Sequence, residues 1–259
     1  SASVVGMLGL ERMWSDVRQP GTQMVVFKGF DEAVVQDNKA LIQKMYDEAI
    51  ADGRLQKGDT WRGNAMAPFK SSGSNHIFGA NSSTAATQTQ TNLAGREHVL
   101  RMLKFMKTIP GGENATIDRM MNETASRETY RIKGETMITV RDYTSGRIFD
   151  DALSYSFYPI DLHDEHGVKP KPLPHGKVPT IPRGALIPKG SKNIMVAGRC
   201  LSSDRLANSA ARVQASCMGM GQAAAVTAVL AAKSGVAPIE VPLDQIRGKL
   251  KEHGAIVPG

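Results

Sequence analysis

The clearest pattern of apolar and polar positions lies in the last third of the chain. Five residues with the sequence NIMVA, Asn193–Ala197, form a short apolar run that ends at Gly198 and predicts a buried strand. A polar stretch follows. From about Ala210 to Lys233 the sequence is small and apolar, with many alanines and no proline, which predicts a long helix.

This order of strand, polar loop and helix points the positive end of a helix dipole at whatever lies beside the loop. An anion or a polarised ring would be stabilised there. Gly219 and Gly221 lie inside the predicted helix. Glycine destabilises a helix interior unless another element packs closely against it.

Weaker periodicity predicts further elements upstream and at the C-terminal end. The β-branched and aromatic run QMVVFKGF predicts a strand, and helical spacing of apolar residues predicts three amphipathic helices, the second of them capped by Asn92. The predictions are a strand over 23–30, helices over 31–50, 93–108 and 243–253, a short partly helical segment over 117–124, and a loop over 142–150.

Composition excludes several classes of protein. The chain has 259 residues and a formal net charge of +7, but its Lys and Arg residues are scattered and its aromatics are few, which argues against nucleic-acid binding. No apolar run is as long as a membrane span, and the N-terminal residues lack the pattern of a signal peptide. The His and Cys spacings match no metal site, and Cys200 and Cys217 are expected to be small buried thiols.

Several motifs together resemble one family. They are the VAGRCLSS turn, the Ala211–Val213 step and the CMGMGQAAA helix start, supported by RETYRIKGE, FYPIDLHD and IPRGALIPKG. The chain resembles the FAD-dependent oxidoreductases that have a glutathione-reductase-type flavin domain. The resemblance implies an α/β protein in which an α+β substrate domain is inserted in the FAD domain. It implies a residual FAD-domain segment over 1–20, a substrate or cap domain over 21–180, and a C-terminal return of the FAD domain over 181–259.

The early strand with GxGxxG that holds the ADP part of FAD is missing from this sequence. The loose match over Gly219–Ala224 follows no strand and lies in helical sequence, so we reject it. The resemblance therefore implies only the C-terminal part of a flavoprotein, with a companion chain that carries the GxGxxG segment. Self-cleavage before Ser1, proteolysis and a separate gene are all open as the origin of this N-terminus.

The resemblance places five residues at the FAD cofactor: Gly198, Arg199, Ala211, Arg212 and Val213. Reduction of the flavin gathers negative charge on its pyrimidine edge, which a helix N-terminus or a positive side chain stabilises. Arg212 has an alternative interpretation as a helix-start arginine paired with Asp204.

Candidates for catalysis come from two motifs. His163 is two residues from Asp161 and is a candidate proton relay, because neutral imidazole can accept or donate a proton near pH 7. Arg127 suits a bidentate contact with a substrate carboxylate. The alternatives are a buried structural histidine and an Arg–Glu network that uses Glu128 and Arg131.

These inferences lead to a hypothesis of hydride transfer between flavin and a small organic substrate, which is a hydroxyl compound, a sugar or a carboxylic acid. The protein is expected to be an oligomer in the cytoplasm. The alternative is a non-catalytic structural subunit that has lost its flavin.

Overall fold

The computed structural model describes residues 2–165, 167–168 and 170–258. Ser1, on which the cleavage hypotheses depend, lies outside them. The helices are α1 (Ser3–Met7), α2 (Glu32–Asp37), α3 (Lys39–Ala51), α4 (Ala85–Met106), α5 (Val140–Ser145), α6 (Arg205–Ala211), α7 (Gln214–Ser234) and α8 (Leu243–Glu252). The strands are β1 (Arg12–Met13), β2 (Val25–Lys28), β3 (Thr116–Met120), β4 (Arg131–Ile132), β5 (Ala152–Tyr155), β6 (His163–Asp164), β7 (Gly167–Val168) and β8 (Thr180–Pro182).

The strands of the described residues pair in four two-stranded antiparallel ladders, β1–β4, β2–β3, β5–β8 and β6–β7. This mixture of helices and small sheets is compatible with the predicted α/β class. The chain divides into two compact units. The first comprises residues 1–17, 128–162 and 169–259, and the second comprises residues 18–127 and 163–168.

The second unit is built around helices α3 and α4 and the β2–β3 ladder. Ile42, Met102 and Met106 are fully or almost fully buried in its core. Capping begins two of its helices, since the Asp31 carboxylate accepts from two backbone N–H groups of α2 and Thr84 forms a capping box with Thr87. These contacts place each helix so that its apolar side faces the shared core.

A buried ionic cluster holds the loop before α4 in the second unit. The Asp59 carboxylate lies 2.9 Å from His98 Nδ1 and accepts from Arg101 Nη2 at 2.8 Å and Nε at 3.0 Å. It also accepts from the backbone N–H of Gln56 at 2.8 Å. Burial alone would raise the pKa of Asp59, but hydrogen bonds from His98 and Arg101 outweigh it and lower the pKa to about 2.

The first unit packs its C-terminal helices against the β5–β8 ladder. Ile138, Leu186 and Met220 form one apolar cluster, and Leu153 joins a second cluster with Leu250 of α8. All five side chains are almost completely buried. Along the chain, residues 198–213 lie between this ladder and α7.

Several predicted elements are confirmed. The strand over 23–30 is β2, and the terminal helix over 243–253 is α8. The helix over 31–50 is present as α2 and α3, which meet at Asn38. The long apolar helix is α7.

Other predictions are wrong, each where tertiary contacts outweigh local pattern. Residues 193–197 form no strand, although the Val196 N–H donates to the Leu186 carbonyl at 2.7 Å. The helix predicted to start after Asn92 begins eight residues earlier, because Thr84 caps it and Asn92 Oδ1 instead accepts from Gln88 and Thr124. The segment predicted as partly helical is strand β3, since it pairs with β2.

Helix α7 corrects the expectation that no apolar run is long enough to span a membrane. Its 21 residues are long and apolar enough by length and composition. Only 28% of its most apolar window is buried within the chain. This is weak evidence for a membrane span, because a single helix that packs against protein passes the same criterion.

We predict that Asp59→Asn lowers the free energy of unfolding by about 3 kcal/mol near neutral pH, because Arg101 and His98 lose a buried charged partner. The folded pKa of Asp59 lies below its ordinary value of 3.8. Its ionisation therefore contributes about 2 kcal/mol above pH 3.8, which is lost as the pH falls towards 2. Urea unfolding of wild type and variant between pH 2 and pH 7 measures both effects. Asp52→Asn, at an exposed ion pair with Arg54, is the matched control and should change little. An equal loss in both variants would contradict the prediction.

Candidate functional site

The polar loop before α7 carries Gly198, the first of the five predicted cofactor residues. Gly198 has φ 85°, in the left-handed region that favours glycine. A Cβ atom at this position would lie 3.8 Å from the Sγ atom of Cys217. The same Sγ atom lies 3.1 Å from the Arg212 carbonyl oxygen. Cys217 therefore lies next to Gly198 and hydrogen-bonds to the backbone of Arg212.

Asn208, on α6, holds the middle of this loop. Its Nδ2 donates to the carbonyl of Arg199 at 3.1 Å. Asn208 is fully buried, and its Oδ1 has no hydrogen-bond partner among the described residues. Ala211, at the end of the same helix, is also fully buried, whereas the Arg199 side chain is exposed. The loop therefore presents a buried acceptor that the described protein does not satisfy.

The N-terminus of α7 follows directly. Val213 is the N-cap residue, and no side chain caps this end. Ser216, in the first turn, contacts Ser156 through their Oγ atoms at 2.7 Å, and Ser156 contacts the Tyr143 hydroxyl at 2.7 Å. Burial raises the pKa of Tyr143 to about 12, so its hydroxyl stays neutral. The helix start is anchored by hydroxyl groups while its backbone N–H groups carry the positive end of the dipole.

Arg212 lies beside the helix start and is paired with Asp161. Its Nη2 donates to the Asp161 carbonyl at 3.2 Å and lies 3.7 Å from Asp161 Oδ2. Burial lowers the pKa of Arg212, and Asp161 opposes that shift. The expected alternative partner, Asp204, instead accepts from the backbone N–H groups of Ala207 and Val140. The pairing of Arg212 with Asp204 is therefore wrong.

Glu128 forms the Arg–Glu network that the sequence predicted as an alternative role for its motif. Its side chain is completely buried. Its Oε2 lies 3.7 Å from Arg131 Nη1, and its Oε1 accepts from Arg205 Nε at 3.3 Å. Arg205 was not identified from the sequence, since it belongs to α6, 77 residues away. Nothing in the local pattern distinguishes it from a solvated arginine.

His163 belongs to the second unit and has a histidine partner there. Its Nδ1 lies 2.9 Å from His76 Nε2, and the two rings meet edge to face with centroids 5.1 Å apart. Both residues are buried. The backbone N–H of His163 donates to Gln19 Oε1 at 3.2 Å. Sequence reasoning gave His76 no role, because the two histidines are 87 positions apart.

Gly58 sets the position of His76. The His76 N–H donates to the Gly58 carbonyl at 2.8 Å. A Cβ atom on Gly58, which has φ 101°, would lie 2.6 Å from the His76 carbonyl oxygen. Only glycine allows this approach, so the turn at Gly58 positions the His76 backbone.

Arg127, the other predicted catalytic residue, also belongs to the second unit. Its Nη1 donates to the carbonyl of Pro20 at 2.5 Å. This contact orients the guanidinium of Arg127. The five predicted cofactor residues belong to the first unit.

An apolar groove runs beside α7 and β5 in the first unit. Its volume is about 900 Å³, and its lining includes Leu153, Phe157, Gly219 and Ile256. Phe157 and Ile256 are 67% and 84% exposed. These exposed apolar side chains make one wall of the groove apolar.

The two cysteines are free thiols. Burial raises the pKa of the Cys217 thiol, which keeps it protonated at neutral pH. Both cysteines are half-buried rather than buried as the sequence predicted.

Comparison with known proteins gives one match. A model of the family described as FAD dependent oxidoreductase matches residues 9–250. No curated protein matches the chain. No solved structure matches it.

We predict opposite effects of alanine at the two glycines of α7. Gly221→Ala should raise the free energy of unfolding by about 0.5–1 kcal/mol, because nothing lies within 4 Å of the added Cβ and alanine favours the helix. Gly219→Ala should raise the free energy of unfolding by less than this, or lower it, because the added Cβ would lie 3.3 Å from Ser154 Cβ. Chemical denaturation of both variants measures the difference, and the shared helix propensity makes each the control for the other. Equal stabilisation would contradict the close packing of α7 on β5.

Proposed function

Because the chain belongs to the FAD dependent oxidoreductase family, with FAD as its cofactor, we propose that it transfers hydride between a small organic substrate and the flavin. The family indicates flavin-linked redox activity. The substrate is a hydroxyl compound, a sugar or a carboxylic acid. The observation that carries the proposal is the family match across residues 9–250. Within it, the loop at Gly198 and the start of α7 supply the chemistry that a flavin requires.

The residues of this loop fit the cofactor. FAD offers both hydrogen-bond donors and acceptors, and the loop has a buried unsatisfied acceptor at Asn208 Oδ1 and an uncapped helix N-terminus at Val213. We propose that Gly198, Arg199, Ala211, Arg212 and Val213 hold FAD. When bound, FAD supplies the hydride acceptor or donor.

The protein's contribution at this loop is electrostatic. The dipole of α7 and the guanidinium of Arg212 both favour negative charge beside Val213. Arg212 Nη2 lies 3.7 Å from Asp161 Oδ2, which holds the guanidinium beside the start of the helix. The arrangement therefore favours a bound group on which negative charge develops.

His163 is proposed to accept the proton of the substrate hydroxyl, or to donate it in the reverse reaction. One hydrogen lies between His163 Nδ1 and His76 Nε2 when both rings are neutral. A proton that His163 accepts from the substrate can pass to His76 through this contact. Two positive rings at 2.9 Å would repel each other, which limits the pair to one extra proton.

Arg127 is proposed to bind and orient the substrate. Its contact with the Pro20 carbonyl reduces the freedom of the guanidinium before a ligand arrives. A planar fork of donors suits a carboxylate or vicinal hydroxyl groups.

We further propose that the chain is a subunit or processed fragment of a glutathione-reductase-type flavoprotein in the cytoplasm, completed by a companion chain that carries the GxGxxG segment. Three features support this proposal. The apolar run over 193–197 has no strand partner among the described residues. Helix α7 has exposed apolar residues such as Met218 and Val229, and an apolar groove lies beside it. A sheet and helix from the companion would cover these surfaces.

We predict that the protein purified from its native source is yellow, with an absorption band near about 450 nm that flavin supplies. Denaturation should release one FAD per complex, and intact mass spectrometry should find a second polypeptide with a Gly-rich N-terminal fingerprint. A colourless preparation with stoichiometric companion and no released flavin would favour the non-catalytic structural subunit. A flavin-loaded single polypeptide would contradict the companion chain but not the redox function.

We predict that His163→Gln slows flavin reduction by hydroxyl compounds at least about 100-fold, since a lost general base has effects of about 10²–10⁴. His76→Gln should slow it less and shift its pH profile, because glutamine keeps a donor but cannot store the proton. Stopped-flow absorbance of the flavin measures both. The control is His175→Gln, at an exposed histidine. Unchanged reduction in His163→Gln with normal flavin content would contradict the relay.

A further inference from the structure

The buried cluster of Glu128, Arg131 and Arg205 contains more hydrogen-bond donors than the described protein satisfies. We infer that Arg131 and Arg205 form a binding site for an oxyanion, which is a carboxylate of the substrate or a phosphate of the cofactor. The carboxylate form rests on the proposed function and narrows its substrate to carboxylic acids. Binding of an oxyanion as such does not rest on it.

The unsatisfied donors are the first observation. Arg131 is 5% exposed, and its Nη2 donates to Ser15 Oγ at 2.9 Å. Its Nε and Nη1 have no hydrogen-bond partner among the described residues, and neither does Arg205 Nη2. Buried donors of a charged group that lack partners destabilise a protein, so folded proteins retain few of them. Three such atoms on two neighbouring arginines indicate a missing acceptor.

The balance of charge is the second observation. Two guanidinium groups share the single carboxylate of Glu128, at 3.7 Å from Arg131 and 3.3 Å from Arg205. The nearby Asp204 carboxylate already accepts from two backbone N–H groups, those of Ala207 and Val140. Among the described residues, no carboxylate therefore accepts from the unsatisfied donors of the two arginines, although the charges of Glu128 and Asp204 both act on Arg131.

Burial adds a third, supporting observation. Burial lowers the pKa of Arg131 although Glu128 and Asp204 both act to raise it, and Arg205 lowers it further. The local carboxylates therefore compensate the buried charge incompletely. An added anion would complete the compensation.

The chemistry of the donors selects the class of ligand. Guanidinium groups are planar and bind carboxylates or phosphates through parallel hydrogen bonds. A neutral molecule could accept the hydrogen bonds but would leave the charge uncompensated. We therefore expect an oxyanion to bind and a neutral amide of the same shape to bind far more weakly.

The test uses the riboflavin-loaded protein, in which no FAD phosphate can occupy the site, and three probes at constant ionic strength: acetate, inorganic phosphate and the neutral acetamide. Acetate or phosphate should raise the melting temperature above that in equal chloride, and acetamide should not. Titration calorimetry then gives the dissociation constants. Equal responses to acetate, acetamide and chloride would overturn the site.

Variants assign the binding to these residues. Arg205→Gln should weaken anion binding at least about tenfold, the effect of one lost charge-assisted hydrogen bond. Glu128→Gln should tighten anion binding, because the competing carboxylate is removed.

Arg54→Gln, at an exposed arginine, is the control and should leave anion binding unchanged. Arg205 is preferred to the more buried Arg131 because its side chain is 26% exposed, so the variant is expected to fold, which circular dichroism verifies. Unchanged anion binding in a folded Arg205→Gln would overturn the inference.

Loading with FAD or with riboflavin separates the two sources of the oxyanion. If the site holds a phosphate of FAD, acetate binds the riboflavin-loaded but not the FAD-loaded protein, and Arg205→Gln weakens FAD binding alone. If it holds a substrate carboxylate, acetate binds both forms. Protein that binds no flavin would defeat the proposed function, yet its anion binding would still respond to Arg205→Gln if the site is correct.

Discussion

Helix α7 is apolar on nearly every side, and the rest of the first unit depends on how that helix is covered. Its small side chains allow the close approach at Gly219, where the backbone lies against Ser154 of β5. The covered side anchors the helix, and a serine and tyrosine hydroxyl chain fixes its first turn. The N-terminus of α7 is thereby held beside Gly198 and Arg212. The positive end of the helix dipole therefore lies at the proposed cofactor site.

The other side of α7 remains in contact with solvent in this chain. Exposed apolar helix surface is unfavourable in water, and the groove beside it extends the same surface. A companion chain and a membrane are the two environments that would remove it from water. The companion chain is the environment we propose, because residues 193–197 have no strand partner among the described residues.

The structure contains two buried clusters of charged side chains, one around Asp59 and one around Glu128. They differ in whether every hydrogen-bond donor has a partner. At Asp59 the carboxylate is matched by His98, Arg101 and a backbone N–H, so the cluster is closed and acts as a brace. At Glu128 the two arginines share one carboxylate and retain donors with no hydrogen-bond partner among the described residues. A closed cluster stabilises the fold, whereas an open one has binding capacity that a ligand can use.

The sequence by itself determined the strong local signals: the long apolar helix, the terminal amphipathic helix, the strand β2 and the family. These follow from periodicity, composition and contiguous motifs, which act over a few residues. Only the tertiary structure decided that Arg212 pairs with Asp161 rather than Asp204, that His76 meets His163, and that Arg205 joins Glu128. Those partners are separated by 51, 87 and 77 positions, and no local pattern encodes a contact that forms only when distant segments pack together.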